Sequence, residues 1–139
     1  MEKLIAMLVP MLEGLGITLE VFIITLALSL PLGLMLALAR ISNCKPLSFI
    51  VETYIWLMRG TPLMLQLLFV YYALPSVGIK MSDMTAALLA FSLNYAAYFA
   101  EIFRSGIQSI ERGQYEAAKC LGFSYIQTMR RIIIPQMIK

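Results

Sequence analysis

Five polar side chains stand in or beside otherwise apolar stretches, and they bound the chemistry open to the chain. Asn94, Tyr98 and Glu101 fall at i, i+4 and i+7, on one face of a helix, while Gln66 lies in a neighbouring apolar run just after Thr61. Polar groups at membrane depth are costly, so each is a candidate for lining a translocation path. An amide, a phenol and a carboxylate together could hold a zwitterionic amino acid, whose carboxylate and ammonium both need partners away from water. Hydrogen bonding between helices is the competing use of Asn94 and Gln66. Arg59 and Glu101 fall near the ends of their runs, where they can pair or snorkel. Catalysis is not in the inventory. The chain has no histidine, which excludes His-based triads and His-ligated zinc or haem. It contains no G-x-x-x-x-G-K-[ST] phosphate loop, and Cys44 and Cys120 match no metal-ligand spacing. No cofactor site is expected on this chain.

The elements that carry these residues follow from composition. The 139-residue chain is 60% hydrophobic and only 14% charged. Soluble domains are about 45–50% apolar and about 25% charged, and a chain this short cannot bury such an excess. It is a membrane protein. A net charge of +3 fits basic cytoplasmic loops better than a nucleic-acid partner. The ten methionines form no cluster and read as apolar packing.

Val21–Ala39 is a nineteen-residue run without a charge. At 1.5 Å per residue it would span about 28 Å, close to the hydrocarbon core. The expected helix begins near Leu15, with Pro31 and Gly33 kinking or loosening it. A signal peptide is the alternative, but its apolar core would be shorter, about 7–15 residues. A second span is expected from about Phe49 to Leu74, interrupted by Arg59-Gly60-Thr61-Pro62, with Tyr71 and Tyr72 as an interfacial belt. The third is Met84–Ala100, closed by Glu101 and Arg104. Eight residues of a fourth, Ile132–Lys139, complete the chain. An outside N-terminus would place Arg40, Lys45, Arg59, Arg104, Arg112, Lys119, Arg130 and Arg131 inside, against only Lys3 and Lys80 outside. Both cysteines would then face the reducing cytoplasm.

The segment between Arg104 and Pro135 is punctuated by Gly106, Gly113 and Gly122, which suggests short helices joined by turns. Ala117 and Ala118 let another backbone approach closely. A helix of this kind suits a partner's groove or the membrane surface, and pattern alone does not choose.

Its spacing resembles a known motif. Glu116-Ala117-Ala118, three residues, Gly122, nine residues, Ile132, one residue, Ile134-Pro135 is similar to the EAA loop of ABC-importer permeases, with Ile134 where leucine is usual. Arg59-Gly60-Thr61-Pro62-Leu63 followed by Gln66-Leu67 resembles an element of the polar amino-acid branch, which includes histidine, glutamine, arginine and cystine permeases. Ala97-Tyr98-Phe99-Ala100-Glu101-Ile102-Phe103-Arg104 is similar to that branch as well.

The resemblance implies an all-α, polytopic transmembrane bundle of the type I importer kind, with three spans and the start of a fourth. It implies an extracytoplasmic segment over 1–14 and an incomplete transmembrane domain over 15–139, with a coupling region at about 104–131. It further implies an ATP-binding partner that carries ATP and Mg, a second permease subunit that is identical or homologous, and an external solute-binding protein. The setting would be a bacterial inner membrane and its lipid. Glu116, Ala117, Ala118, Gly122, Ile132 and Pro135 would couple to the ATPase. Thr61, Gln66, Asn94, Tyr98 and Glu101 are the path candidates, and Arg59, Gly60 and Pro62 belong to the family motif. The chain would be a fragment of a longer permease. A non-transporting membrane scaffold is the alternative, and an intramembrane enzyme has no acid–base or metal constellation behind it.

Overall fold

The longest apolar run becomes the longest helix. In a computed structural model, which describes residues 2–137, α1 covers Glu2–Ile41, and every described element is helical. Residues 138 and 139, the end of the expected fourth span, lie outside the described residues. The first helix begins well before Leu15, so residues 2–14 continue the same rod rather than forming a separate segment. Glu13 and Glu20 are good helix formers, and an apolar window alone does not register them. Leu8–Ile41 is apolar enough to cross a membrane over 34 residues. At 1.5 Å per residue this is about 51 Å, well over a bilayer core of about 30 Å.

Next come α2 (Lys45–Gly60) and α3 (Leu63–Ser76), which are bent by 104° across Thr61 and Pro62. Pro62 has no N–H to continue the helix and pushes the residue before it out of helical geometry; Thr61 is extended, at φ −113° and ψ 144°. The break expected at Gly60-Thr61-Pro62 is present. The second long span, α4, covers Asp83–Ser109. Ser82 caps it by accepting a hydrogen bond from the Thr85 N–H at 3.2 Å, and Asp83 favours the first turn's dipole. Counting the bent pair as one span gives three.

The expectation that Glu101 and Arg104 close the third span is corrected, because α4 runs on to Ser109. The two residues pair at i, i+3 within the helix, so neither needs to leave it. Gly106 consequently lies inside α4 rather than at a turn, and a Cβ there would meet Met137 Cγ at 2.5 Å.

Gly33 also takes a different role from the one expected. A Cβ on it would fall 2.5 Å from Phe99 Cβ and 3.1 Å from the Ala96 carbonyl oxygen, so it permits close approach rather than loosening α1. Ser29, Gly33 and Ala37 recur every four residues on α1, as do Ser92, Ala96 and Ala100 on α4. All six are buried, the serines and alanines to 4% exposure or less. Small residues at this period let two helix backbones touch, the small-xxx-small device of membrane bundles. The two helices run parallel, since Gly33 meets the Ala96–Ala100 level while Leu38 and Ile41 pack against Ile107 further on. Their C-terminal ends therefore share one side of the bundle. Val51 and Ile55 of α2 pack against Ala97 and Ala100 of α4, and Val70 of α3 packs against Ala86 and Ala90.

Candidate functional site

Beyond Ser109 the chain turns through Ile110 and Glu111 into α5 (Arg112–Cys120), so Gly113 is helical and not a turn. Gly122 makes the turn that follows. At φ +77° it ends α5 in a left-handed cap, with Gly122 N–H donating to the Lys119 carbonyl and Phe123 N–H to the Ala118 carbonyl, both at 3.0 Å. Ser124 restarts the helix through a capping box with Gln127, a feature legible in the Ser-x-x-Gln spacing. Three consecutive pieces then form one rod: α6 (Tyr125–Thr128), a π-helical turn (Met129–Ile133) and α7 (Ile134–Met137).

The two alanines of the loop face different ways. Ala118 is 1% exposed and packs within the chain, whereas Glu116 and Ala117 are exposed. Leu121, Tyr125 and Ile126 extend that open surface with large apolar groups. Ile132 is half-buried and Pro135 exposed on the rod that follows. Beneath the loop, Ile107, Met129 and Ile133 form an apolar knot that also takes Tyr115 from α5 and Leu38 and Ile41 from α1. The Tyr115 hydroxyl donates to the Ile107 carbonyl at 3.1 Å, and burial, with a smaller contribution from Tyr125, pushes that phenol up from its ordinary pKa. Tyr115 thereby joins α5 to the ends of α1 and α4.

The candidate path residues divide into two groups. At the α2–α3 break, the Gln66 Nε2 amide donates to the Met58 carbonyl at 2.9 Å and to Thr61 Oγ1 at 2.6 Å. Asn94 Nδ2 donates to the same Met58 carbonyl and to Gln66 Oε1, both at 3.0 Å. These amides satisfy the backbone that the break leaves open, which is the helix-joining use of such residues. Thr61 and Gln66 border a cavity of about 570 Å³ otherwise walled by Leu57, Leu65, Phe69 and Leu93. Tyr98 and Glu101 stand apart from this cavity's lining, in the company of arginines. Tyr95 rather than Tyr98 borders a second cavity of about 300 Å³, with Thr18, Thr25 and Ser29.

Glu101 is the centre of the second group. Arg104 NH2 lies 2.8 Å from its carboxylate, Arg40 Nε 3.5 Å and Arg59 NH1 3.7 Å. Arg40 also pairs with Glu52 at 2.9 Å, and the Arg59 guanidinium sits 5.5 Å from the centre of the Tyr98 ring. Three helices thus converge on one acid.

Comparison with known proteins now decides the lineage. Residues 29–139 match the model of the family described as "Binding-protein-dependent transport system inner membrane component". The chain belongs to this family. It is 47% identical over 127 residues to the probable amino-acid ABC transporter permease protein YckA of Bacillus subtilis, covering 91% of this chain and 56% of that one. It is 44% identical over 129 residues to the arginine transport system permease protein ArtQ of the same organism, covering 92% and 59%. A crystal structure of an amino acid ABC transporter with histidines shares the fold at a TM-score of 0.77 and 36% identity, over 94% of this chain and 64% of that one. The MetNI methionine ABC transporter, at 22% identity and a TM-score of 0.66, shares the fold. The chain spans 56–59% of the length of these two curated relatives. Membership accounts for the bundle of apolar helices.

Proposed function

We propose that this chain is the membrane-spanning subunit of an ATP-driven, binding-protein-dependent importer of polar amino acids. The observation that carries the reading is the α5 surface. A short helix, closed by a left-handed glycine and joined to the Ile107 knot through Tyr115, presents Glu116 and Ala117 outward, and Leu121 of the turn and Tyr125 and Ile126 of α6 are exposed beside it. An exposed apolar face on an otherwise rigid mount suits a groove in a partner. The amino-acid class rests on YckA and ArtQ, whose names describe amino-acid and arginine transport.

In this reading the N-terminus faces outward in a bacterial inner membrane, and an ATPase subunit that carries ATP and Mg docks on α5 from the cytoplasm. A second permease copy or homologue supplies the other half of the path, and a solute-binding protein delivers the amino acid from outside. Nucleotide-driven closure of the ATPases draws the two α5 helices together. Because α5 is tied to the inner ends of α1 and α4, that stroke shifts the spans between two arrangements, as a partner-biased equilibrium requires.

Purification of the native complex from its membrane, followed by mass spectrometry and an ATPase assay, tests the proposal. A co-purifying P-loop ATPase stimulated by solute-loaded binding protein is the expected result; a complex with no ATPase would overturn it. Gly122→Val adds a sharper check, because a β-branched residue at φ +77° is strained by about 1–2 kcal/mol. ATP hydrolysis in that variant should continue while solute uptake falls several-fold, and normal coupling would remove α5 from its assigned role.

A further inference from the structure

We infer that Glu101 is a positioning residue for transport, the single acid that holds α1, α2 and α4 in register by balancing an arginine from each. Sequence position alone made it a candidate for touching the solute, but the geometry gives its carboxylate other work. Arg104 grips it through Nε at 3.2 and 3.3 Å and through NH2 at 2.8 Å. Arg40 arrives from α1 and Arg59 from α2, at 3.5 and 3.7 Å. The Glu101 and Arg40 side chains are about four-fifths buried, at 20% and 19% exposure, so solvent screens their contact only in part. The remaining acid at this level, Glu52, engages Arg40 and is 57% exposed. Three guanidinium groups therefore meet two carboxylates, and Glu101 alone touches all three.

Removing the charge at Glu101 leaves the three arginines facing one another between the helices. Like charges a few ångströms apart in a partly buried site push the elements carrying them apart. Arg59 is the partner to remove in compensation, since its contact is the longest, its side chain is 43% exposed and it makes the ring contact with Tyr98. With both Glu101 and Arg59 neutralised, the cluster returns to its original charge excess, and α1, α2 and α4 again close.

The test uses the full-length permease in its native complex, reconstituted in vesicles, and it rests on the transport reading above. Wild-type uptake is measured first, so that absence of transport counts against that reading and not against this one. Glu101→Gln is expected to lower the maximal uptake rate by about tenfold, the cost of unpairing a partly buried charge, with KM for the amino acid within about twofold of wild type. Glu101→Gln combined with Arg59→Gln should recover most of that loss, and Arg59→Gln alone should have the smallest effect of the three. If Glu101→Gln fails to assemble with the ATPase, recovery of assembly by the added Arg59→Gln supports the same inference. Normal uptake by Glu101→Gln would overturn it. So would a raised KM with an unchanged maximal rate, which marks direct contact with solute, or a double variant no better than the single one.

Discussion

The two ways α4 meets its neighbours could hardly differ more. Against α1 it presents Ser92, Ala96 and Ala100, and the backbones come so close that Gly33 has no room for a Cβ. Against α2 and α3 it presents Asn94, which reaches across to a broken helix, beside a cavity of about 570 Å³. The first contact is dispersion between small residues and tolerates no addition. The second is a few directional hydrogen bonds around open backbone and leaves empty space. A bundle that must switch between two arrangements needs both a fixed body and a place that can give. The seam fits the former and the break the latter.

Substitutions can break or sharpen this contrast. The largest effect is expected at the seam, where Gly33→Ile drives a side chain into Phe99 Cβ and the Ala96 carbonyl. Helix separation should cost about 3 kcal/mol or more, read as a large drop in melting temperature in detergent. A melting temperature equal to wild type would mean that the seam yields as readily as the break. Asn94→Leu should cost less, about 1 kcal/mol, because the Met58 carbonyl keeps its bond from Gln66. Lost stability with an unchanged KM for solute would support its role as a clasp. A raised KM without lost stability would make it a solute ligand instead. The smallest effect belongs to Gly60→Ala. Nothing lies within 4 Å of a Cβ there, so the variant should be neutral or gain up to about 1 kcal/mol from its helical position. Destabilisation would show that the break is packed after all.

Much of this was legible before any coordinates. Charge-free runs mark the spans, Pro62 marks the break, and Gly122 marks the turn between short helices. The seam was equally visible in principle, because Ser29, Gly33 and Ala37 lie at fixed intervals, but serine and glycine inside an apolar run read as interruptions. Gly106 and Gly113 failed as turn markers because glycine permits a turn without requiring one; of these three loop glycines Gly122 alone takes a positive φ. The acid–arginine cluster was out of reach. Arg40, Arg59 and Glu101 lie on three different helices, and nothing in a linear pattern says which of many charges will converge. The site residues were found as types, while their division into clasp and hub is a property of packing.

The π-helical turn at Met129–Ile133 has a consequence for how such chains change length over time. A π turn holds one residue more than the surrounding α-helix needs. Losing that residue would let the rod from Tyr125 close into ordinary helix with its ends little displaced. Every side chain beyond it would keep its direction, because the wide turn takes up the extra residue locally. Homologues one residue shorter across this stretch should therefore carry an unbroken α-helical stripe there, with the side chains downstream keeping their faces.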